Sequence, residues 1–572
     1  MTILLRRTVA AALAASALIS ISACRQAPAE SENTRVDKLF AAWTGQDTPG
    51  CAVGISRNGA VVYEHGYGMA NLELSVPVTP DTVFAVASVT KSFTAMSVLL
   101  AAEQGKLSLD DEIQKYIPEW RDRDDHITIR HLITHTSGLR DAFALLGWAP
   151  SSESAGDYNE AIAKMLARQR GLNFPPGTEY QYNNGGYNLL ATILKRATGQ
   201  SLREFADVNI FKPLGMTHTH VHDDVSVPVP SRASGYTRSA SGWRAAKIDG
   251  GIVGNSGLYS TVGDMLLWEE NFEKPRVGTP ALFAAMQKPT VLTGGREISS
   301  GMGLGIGHYR GLATFEGSGG DYGIASKFAF FPNQHLAVAV LCNEDNVVMG
   351  GLARVNPDIF TNGIADIYLA DALGPAEAAT QSGPPSNPAK LSDAELSEKA
   401  GLYKIGGVDF PVLMSVDHGR LMLRSYYGDD FDFEITPVSA NRFLLRNSIL
   451  FEFIPATPGR PKGWHVGEGK DAREWQLVTY APAAADIRSY AGEFRSEEIA
   501  ATYTLEARGS ALIVRSPWGG DITIAPFSND VFVGDFVGIV KFSRDSGGAV
   551  AGFTLNRENA RGVRFDRVRQ TR

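Results

Sequence analysis

The chain has 572 residues and a mass of 61.6 kDa, which corresponds to about four domains, or one large and two small ones. Hydrophobic residues make up 44% and charged residues 20%, which excludes a disordered or fibrous chain. A net charge of -8 provides no general basic surface for phosphate, so no nucleic-acid partner is expected, and three cysteines exclude a disulfide-dense scaffold and a four-cysteine zinc site.

The chain opens with Arg6 and Arg7, an apolar stretch from Val9 to Ser22, and the run Ile21-Ser22-Ala23-Cys24. Small residues before a cysteine resemble the bacterial lipoprotein cleavage box. Residues 1–24 then form a lipoprotein-type signal peptide, and Cys24 becomes the lipidated first residue of the mature protein. The plainer reading is an ordinary signal peptide cut near Ala23 or Ala27. Lipidation places the protein in the periplasm, held to a bacterial membrane by lipid alone, because the apolar stretch is shorter than the ~20 residues that span a bilayer. Cys51 and Cys342 each lie in an apolar, strand-like run and read as buried thiols. They can pair only if those strands are neighbours.

Residues 36–373 mix helical and strand patterns. Gly50 to Ser56, then Asn58-Gly59, then Ala60 to Tyr63 predict a hairpin. Lys91 to Gly105 predicts a helix with Phe93, Met96, Leu99 and Leu100 on one face. Phe328 to Phe331 and Leu336 to Cys342 predict a second hairpin of buried strands. Strands at both ends with helices between them give one α/β domain whose sheet joins its two termini. Residues 374–392 are a linker, rich in Pro, Ala, Ser and Gly up to Ala389. Residues 393–483 and 484–572 then repeat. Ala400-Gly401-Leu402-Tyr403 answers to Ala491-Gly492-Glu493-Phe494, Gly419 to Leu423 answers to Gly509 to Ile513, and Asn441-Arg442-Phe443 answers to Asp530-Val531-Phe532. Two units are too few for a solenoid and read as two small antiparallel barrels or sandwiches.

Ala87-Ser88-Val89-Thr90-Lys91 enters the predicted helix. A serine there has an exposed hydroxyl and its N–H at the positive end of the helix dipole. A lysine three residues on lies one turn above it, where it can hold an alkoxide or take its proton. Alone, this spacing is weak, and Ser88 reads equally as a helix cap. Pro176 to Tyr187 adds a tyrosine-rich loop opening a helix. A lysine beside Tyr182 can lower its phenol until it acts as a base. Asn184 can accept from Lys91 while donating to a substrate carbonyl. His131 and His135 have metal-ligand spacing but no accompanying Glu, so no metal is expected. The glycines of Gly301 to Gly307 lack a phosphate-loop context and instead let a strand approach closely. Trp464, Trp475 and Trp518 read as core or barrel-mouth residues.

Ser88-Val-Thr-Lys91, Ile127 to Leu139, Tyr182-Asn-Asn184 and Asn255 to Asp264 resemble, in order and spacing, the class C β-lactamase and penicillin-binding peptidase superfamily. The two C-terminal β units make the layout similar to its D-aminopeptidase-like branch. The resemblance implies an antiparallel sheet against a helical cluster, followed by two small all-β barrel-like domains, with no cofactor. It implies acyl transfer with Ser88 as nucleophile, Lys91 assisting it, Tyr182 as general base and Asn184 positioning the substrate. Gly317-Ser318-Gly319-Gly320 falls on the superfamily's third motif and is expected to bind substrate, with an oxyanion donor near Gly320. Gly317 departs from the pattern, since Lys or His is usual there, and argues against penicillins and cephalosporins. Glu316, His308 or a C-terminal residue are the candidates to compensate. The expected function is an exported serine hydrolase of small linear peptides. The layout also resembles peptidases that cut linearised cyclic peptides of the microcystin type. An esterase on the same scaffold and a non-catalytic ligand-binding protein are the competing readings, and a homodimer is compatible with all three.

Overall fold

The computed structural model describes residues 30–120, 123–150, 157–239, 241–246, 250–345, 357–375, 388–405, 410–428, 432–445, 449–467, 472–516 and 520–568. The expected signal peptide with Ala23, Cys24 and Ala27, most of the linker, and Trp518 lie outside the described residues.

The N-terminal domain is a six-stranded antiparallel sheet between two helical layers. Helix α1 (Glu32–Leu39) precedes the hairpin of β1 (Cys51–Arg57) and β2 (Ala60–Tyr67). Four further strands close the domain: β3 (Gly305–Tyr309), β4 (Leu312–Asp321), β5 (Ile324–Phe331) and β6 (Leu336–Cys342). The strand order is β3-β4-β5-β6-β1-β2, so the sheet does join the two ends of the domain. Alternate residues of β1 serve different cores, as the period of a strand demands. Cys51, Val53 and Ile55 pack with α1 and the helix α8 (Pro357–Tyr368), whereas Ala52 joins the larger core on the other side. Gly54, which faces that larger core, admits helix α7 (Val262–Glu273). A Cβ there would lie 3.1 Å from both Val262 and Leu266.

Cys51 and Cys342 stand directly opposite each other on β1 and β6 and form a disulfide. They are buried, as their apolar surroundings predict, but as a bonded pair rather than as two thiols.

The predicted central helix is α2 (Thr90–Glu103), closed by Gly105 at φ 68°. It is buried on every side from Thr90 to Ala101, not on one face, because it runs between the sheet and a ring of helices. Its hydroxyls are satisfied by backbone: Ser92 donates to Val89 O, Ser97 to Phe93 O and Thr94 to Gly254 O. The ring includes α3 (Ile129–Ile133), α4 (Ala142–Trp148), α5 (Tyr158–Ala167) and α6 (Asn184–Thr198).

The two C-terminal units are closed, eight-stranded antiparallel barrels. The first runs from β7 (Gly401–Ile405) to β14 (Arg473–Leu477). The second runs from β15 (Gly492–Ser496) to β22 (Ala560–Arg567) and includes β16 (Ala501–Arg508) and β21 (Val550–Arg557). The sequence repeat is a repeat of strands. Gly419 and Gly509 occupy equivalent hairpin turns at φ 73° and 62°, while Tyr403 and Phe494, like Phe443 and Phe532, fill the two interiors. Trp464 and Trp475 are core residues of the first barrel.

Candidate active site

Ser88 sits on a single 3-10 turn, Ala87–Val89, at the entry to α2. Ala87 holds φ 43°, a left-handed conformation costly for a residue with a Cβ, and strain of this kind gathers at functional sites. The turn is held by Thr90 Oγ1 donating to Ala87 O, and by Ser326 Oγ of β5 donating to Val86 O.

Lys91, one helical turn on, is 4% exposed and donates to three oxygens: Ser88 Oγ at 3.0 Å, Asn184 Oδ1 at 2.9 Å and Asn255 O at 2.9 Å. Burial brings its pKa down to about 7 against the opposing charge of Asp141. Near neutrality a large share of Lys91 is therefore an uncharged amine beside the serine. Because an ammonium has only donors, it forces the Asn184 amide to present its oxygen inward and its NH2 end outward as a donor.

Tyr182 completes the set. Its hydroxyl donates to Ser88 Oγ at 2.7 Å, and Lys91 Nζ lies 4.7 Å from its ring centroid. The expectation that the lysine lowers this phenol is corrected by the structure. Burial pushes the phenol up, with the bond to Ser88 pulling the other way, although solvent reaching its 43% exposed surface moderates the rise. Of the two groups touching Ser88, Lys91 is the one with a free lone pair to accept a proton near neutrality, while Tyr182 stays a protonated phenol.

Two residues the motif reading passed over hold this arrangement. His135, set aside above as a metal ligand, clamps the backbone on both sides of Tyr182: its carbonyl accepts from Gln181 N at 2.9 Å, and its Nδ1 accepts from Asn183 N at 3.0 Å. Its ring packs on Tyr182 at 4.6 Å. Burial, reinforced by the charge of Lys91, drives its pKa down to about 3, so it stays the neutral acceptor that the Asn183 bond needs. Asp141 caps α4 and accepts Asn184 N at 2.7 Å. Burial raises its carboxyl against the hydrogen bonds from Asn184, Phe143, Ala144 and Gly185. His131 instead caps α3 through Thr128, and among the described residues no group of three metal-ligating side chains is assembled.

Strand β4 forms the facing wall. Gly319 lies against the serine turn: a Cβ there would be 2.2 Å from Val86 O and 2.9 Å from Ser88 N, so only glycine lets the strand come this close. Gly317 and Ser318 line the cleft of about 250 Å³, together with Tyr180, Ser299 and Ser300. Gly320 pairs with Ala325 on β5 just beyond them. At Gly317 the missing side chain has been replaced from across the ladder. Phe328 is its strand partner, and a Cβ on Gly317 would lie 2.3 Å from the Phe328 ring. Among the described residues, neither Glu316 nor His308 supplies the absent cation there. Glu316 is an anion and pairs with Lys327 at 2.8 Å, Lys327 is also engaged by Asp358, and His308 lies on the edge strand β3 opposite Ala313. A larger hollow of about 340 Å³, lined by Asp157, Glu160, Asp223 and Asp224 among others, contains one serine, Ser201, which is occupied as a helix cap.

A sheet between helical layers, with a serine turn facing an edge-side strand and a lysine one turn on, defines the active-serine hydrolases of the β-lactamase and penicillin-binding type. The chain belongs to the Beta-lactamase family, whose model matches residues 36–354. Two D-aminopeptidases are similar in sequence: one from Gluconobacter oxydans at 31% identity over 310 residues, 54% of this chain and 58% of that one, and one from Brucella anthropi at 30% over 274 residues, 48% and 51%. The chain thus matches little more than half the length of these relatives. Among solved structures, an octameric penicillin-binding protein homologue from Pyrococcus abyssi superposes with a TM-score of 0.54 at 22% identity, covering 78% of this chain and 100% of its own. A penicillin-binding protein from Bacillus halodurans superposes at 0.50 and 22%, covering 60% and 99%.

Proposed function

We propose that the protein is an exported serine hydrolase that cleaves amide bonds of small linear peptides through an acyl-enzyme on Ser88. The observation that carries this reading is the 3.0 Å contact between Ser88 Oγ and a buried lysine with a pKa of about 7. Neutral Lys91 takes the Ser88 proton as Oγ bonds to the substrate carbonyl carbon, and the displaced electron pair moves onto the carbonyl oxygen. Backbone amides of Ser88 and the Gly319–Gly320 segment receive that oxyanion. As the C–N bond breaks, the leaving nitrogen takes the Tyr182 proton, which the Lys91 ammonium replaces. Water then attacks the ester with Lys91 again as base, releasing the acid and restoring Ser88.

The cleft wall carries Gly317, with the buried Phe328 ring packed behind it, where a cation would pair with a substrate carboxylate, which favours peptides held by hydrogen bonds over penicillins. The relatives named D-aminopeptidase extend the reading to release of an N-terminal D residue, and the layout extends it to linearised microcystin-type peptides. Export is supported by the Cys51–Cys342 disulfide, a bond that persists in oxidising compartments, and by the basic and apolar start of the sequence. A diacylglyceryl-modified Cys24 in the mass of the mature protein is the expected mark of the anchor.

Intact-mass analysis after exposure to a fluorophosphonate probe tests the core of this reading. One adduct is expected on the protein and none on Ser88→Ala; a folded parent without an adduct leaves a non-catalytic ligand-binding protein. D- and L-alanine p-nitroanilides then read the stereochemistry, and a linear heptapeptide that yields no fragments ends the microcystin-type assignment. The raised phenol of Tyr182 favours one second reading, an esterase, because an ester leaving group needs less protonation than an amine. Turnover of matched ester and amide substrates separates the two.

A further inference from the structure

The segments that present Tyr182 and Asn184 rest on the second barrel. At the tip of the β21–β22 hairpin, Asn559 O accepts Asp141 N at 2.8 Å and the Asn173 side-chain amide at 3.0 Å, and Glu558 O accepts the Gln181 side-chain amide at 2.5 Å. Gln181 immediately precedes Tyr182, and Asp141 holds the backbone of Asn184. Behind this tip lies Arg140, next in sequence to Asp141 and 4% exposed. Its guanidinium reaches across the domain boundary in three directions: Nη1 to Glu498 Oε1 at 2.8 Å, Nε to Arg561 O at 2.8 Å and Nη2 to Gly562 O at 2.9 Å.

Glu498, between β15 and β16, is 2% exposed. Its Oε2 is anchored to its own barrel by Arg564 N at 2.8 Å, while Oε1 also accepts Arg170 N of the catalytic domain at 2.6 Å. Both ions are thus hydrogen-bonded on several sides. A buried pair of this kind contributes little net stability but allows only one arrangement of the groups it joins.

We infer that Glu498 is a positioning residue of the active site: through Arg140 and Asp141 it fixes Asn184, and with the 558–559 turn it fixes the Tyr182 segment. The second barrel is then part of the catalytic unit. Small displacements suffice for this to matter, since a shift of about 1 Å in a reacting group costs on the order of a hundredfold in rate. The inference rests on Ser88 being the nucleophile.

The test is the rate of covalent labelling of the full-length mature protein by a fluorophosphonate probe, with melting followed in parallel. Glu498→Gln keeps the shape of the side chain and removes its charge. Its maximal labelling rate is expected to fall at least tenfold, with the half-saturating probe concentration unchanged, at temperatures where it is folded. Phe451→Leu, in the core of the first barrel, is the control for lost stability and should label within twofold of the parent. Labelling of Glu498→Gln within twofold of the parent overturns the inference while leaving the serine assignment intact. An equal fall in Phe451→Leu overturns it as well, and a parent that does not label overturns both. Should Glu498→Gln not fold, Gln181→Leu breaks the same support without disturbing a buried charge: a fall of at least threefold is expected, and no change overturns the inference.

Discussion

Lys91 sets chemistry against stability. Its amine is protonated in the unfolded chain up to about pH 10.5 but in the folded protein only up to about 7. Between those values the unfolded state binds more protons, so this group makes the protein more stable as pH rises from 7 towards 10.5. The rate of Ser88 labelling should rise through about pH 7 as the amine is freed. Lys91→Met should lose that labelling yet melt at a higher temperature than the parent at pH 6; a lower melting point at pH 6 would count against a buried, reluctant cation. His135 has the same sign at lower pH: with a folded pKa of about 3 against 6.5 unfolded, it withdraws stability as pH falls from 6.5 to 3. Gly317 is governed by volume. Gly317→Lys drives a Cβ into the Phe328 ring and should cost about 1–3 kcal/mol in urea unfolding, as overpacked cores do. Adding Phe328→Leu should recover part of that cost, and only the double variant has room to place an ammonium in the cleft.

Helix α7 carries the clearest conflict between an element and one of its residues. Glu269 is fully buried against the sheet, its Oε2 accepting Val338 N at 3.2 Å, and burial pushes its carboxyl well above the usual range. The folded state therefore holds this proton longer than the unfolded chain does, and stability is lost as pH rises from about 4.5 through the folded value. Glu269→Met should stabilise the protein, and by more at pH 8 than at pH 5 in paired urea titrations. What the sequence disclosed follows a similar division. Helix α2, the β1–β2 hairpin and the barrel repeat were legible because they rest on local periodicity and turn residues, and Ser88, Lys91, Tyr182 and Asn184 because their spacing matches a known motif. The Asn255 carbonyl on Lys91, the His135 clamp and the Phe328 ring over Gly317 were not. A backbone acceptor has no residue type to betray it, and the other two depend on which strand or loop lies alongside. The Arg140–Glu498 pair spans the greatest distance in the chain of these contacts and left no local trace.

At the scale of the whole molecule, the catalytic domain and the second barrel share one hydrophobic core, while the first barrel keeps its own. Tyr503 of the second barrel donates to Trp148 O at 2.8 Å and Trp148 Nε1 donates to Phe536 O at 2.7 Å, so the last residue of helix α4 is bound to the barrel through both its backbone and its ring. The disulfide acts at the same scale, closing a loop of most of the catalytic domain. Cys342→Ala should lower stability by about 2–4 kcal/mol, seen as an earlier urea midpoint, and a reducing agent should move the parent in the same direction. The bond also has a meaning in time. Strand β1 leaves the ribosome early, but its partner on one side, β6, lies 291 residues further along. At about 5–20 residues per second, β1 waits tens of seconds with one apolar edge uncovered. Its other edge is covered almost at once by β2. Until β6 is made, the β1–β2 segment therefore has one flank without its partner strand, and a stray strand from another chain is the hazard of that interval.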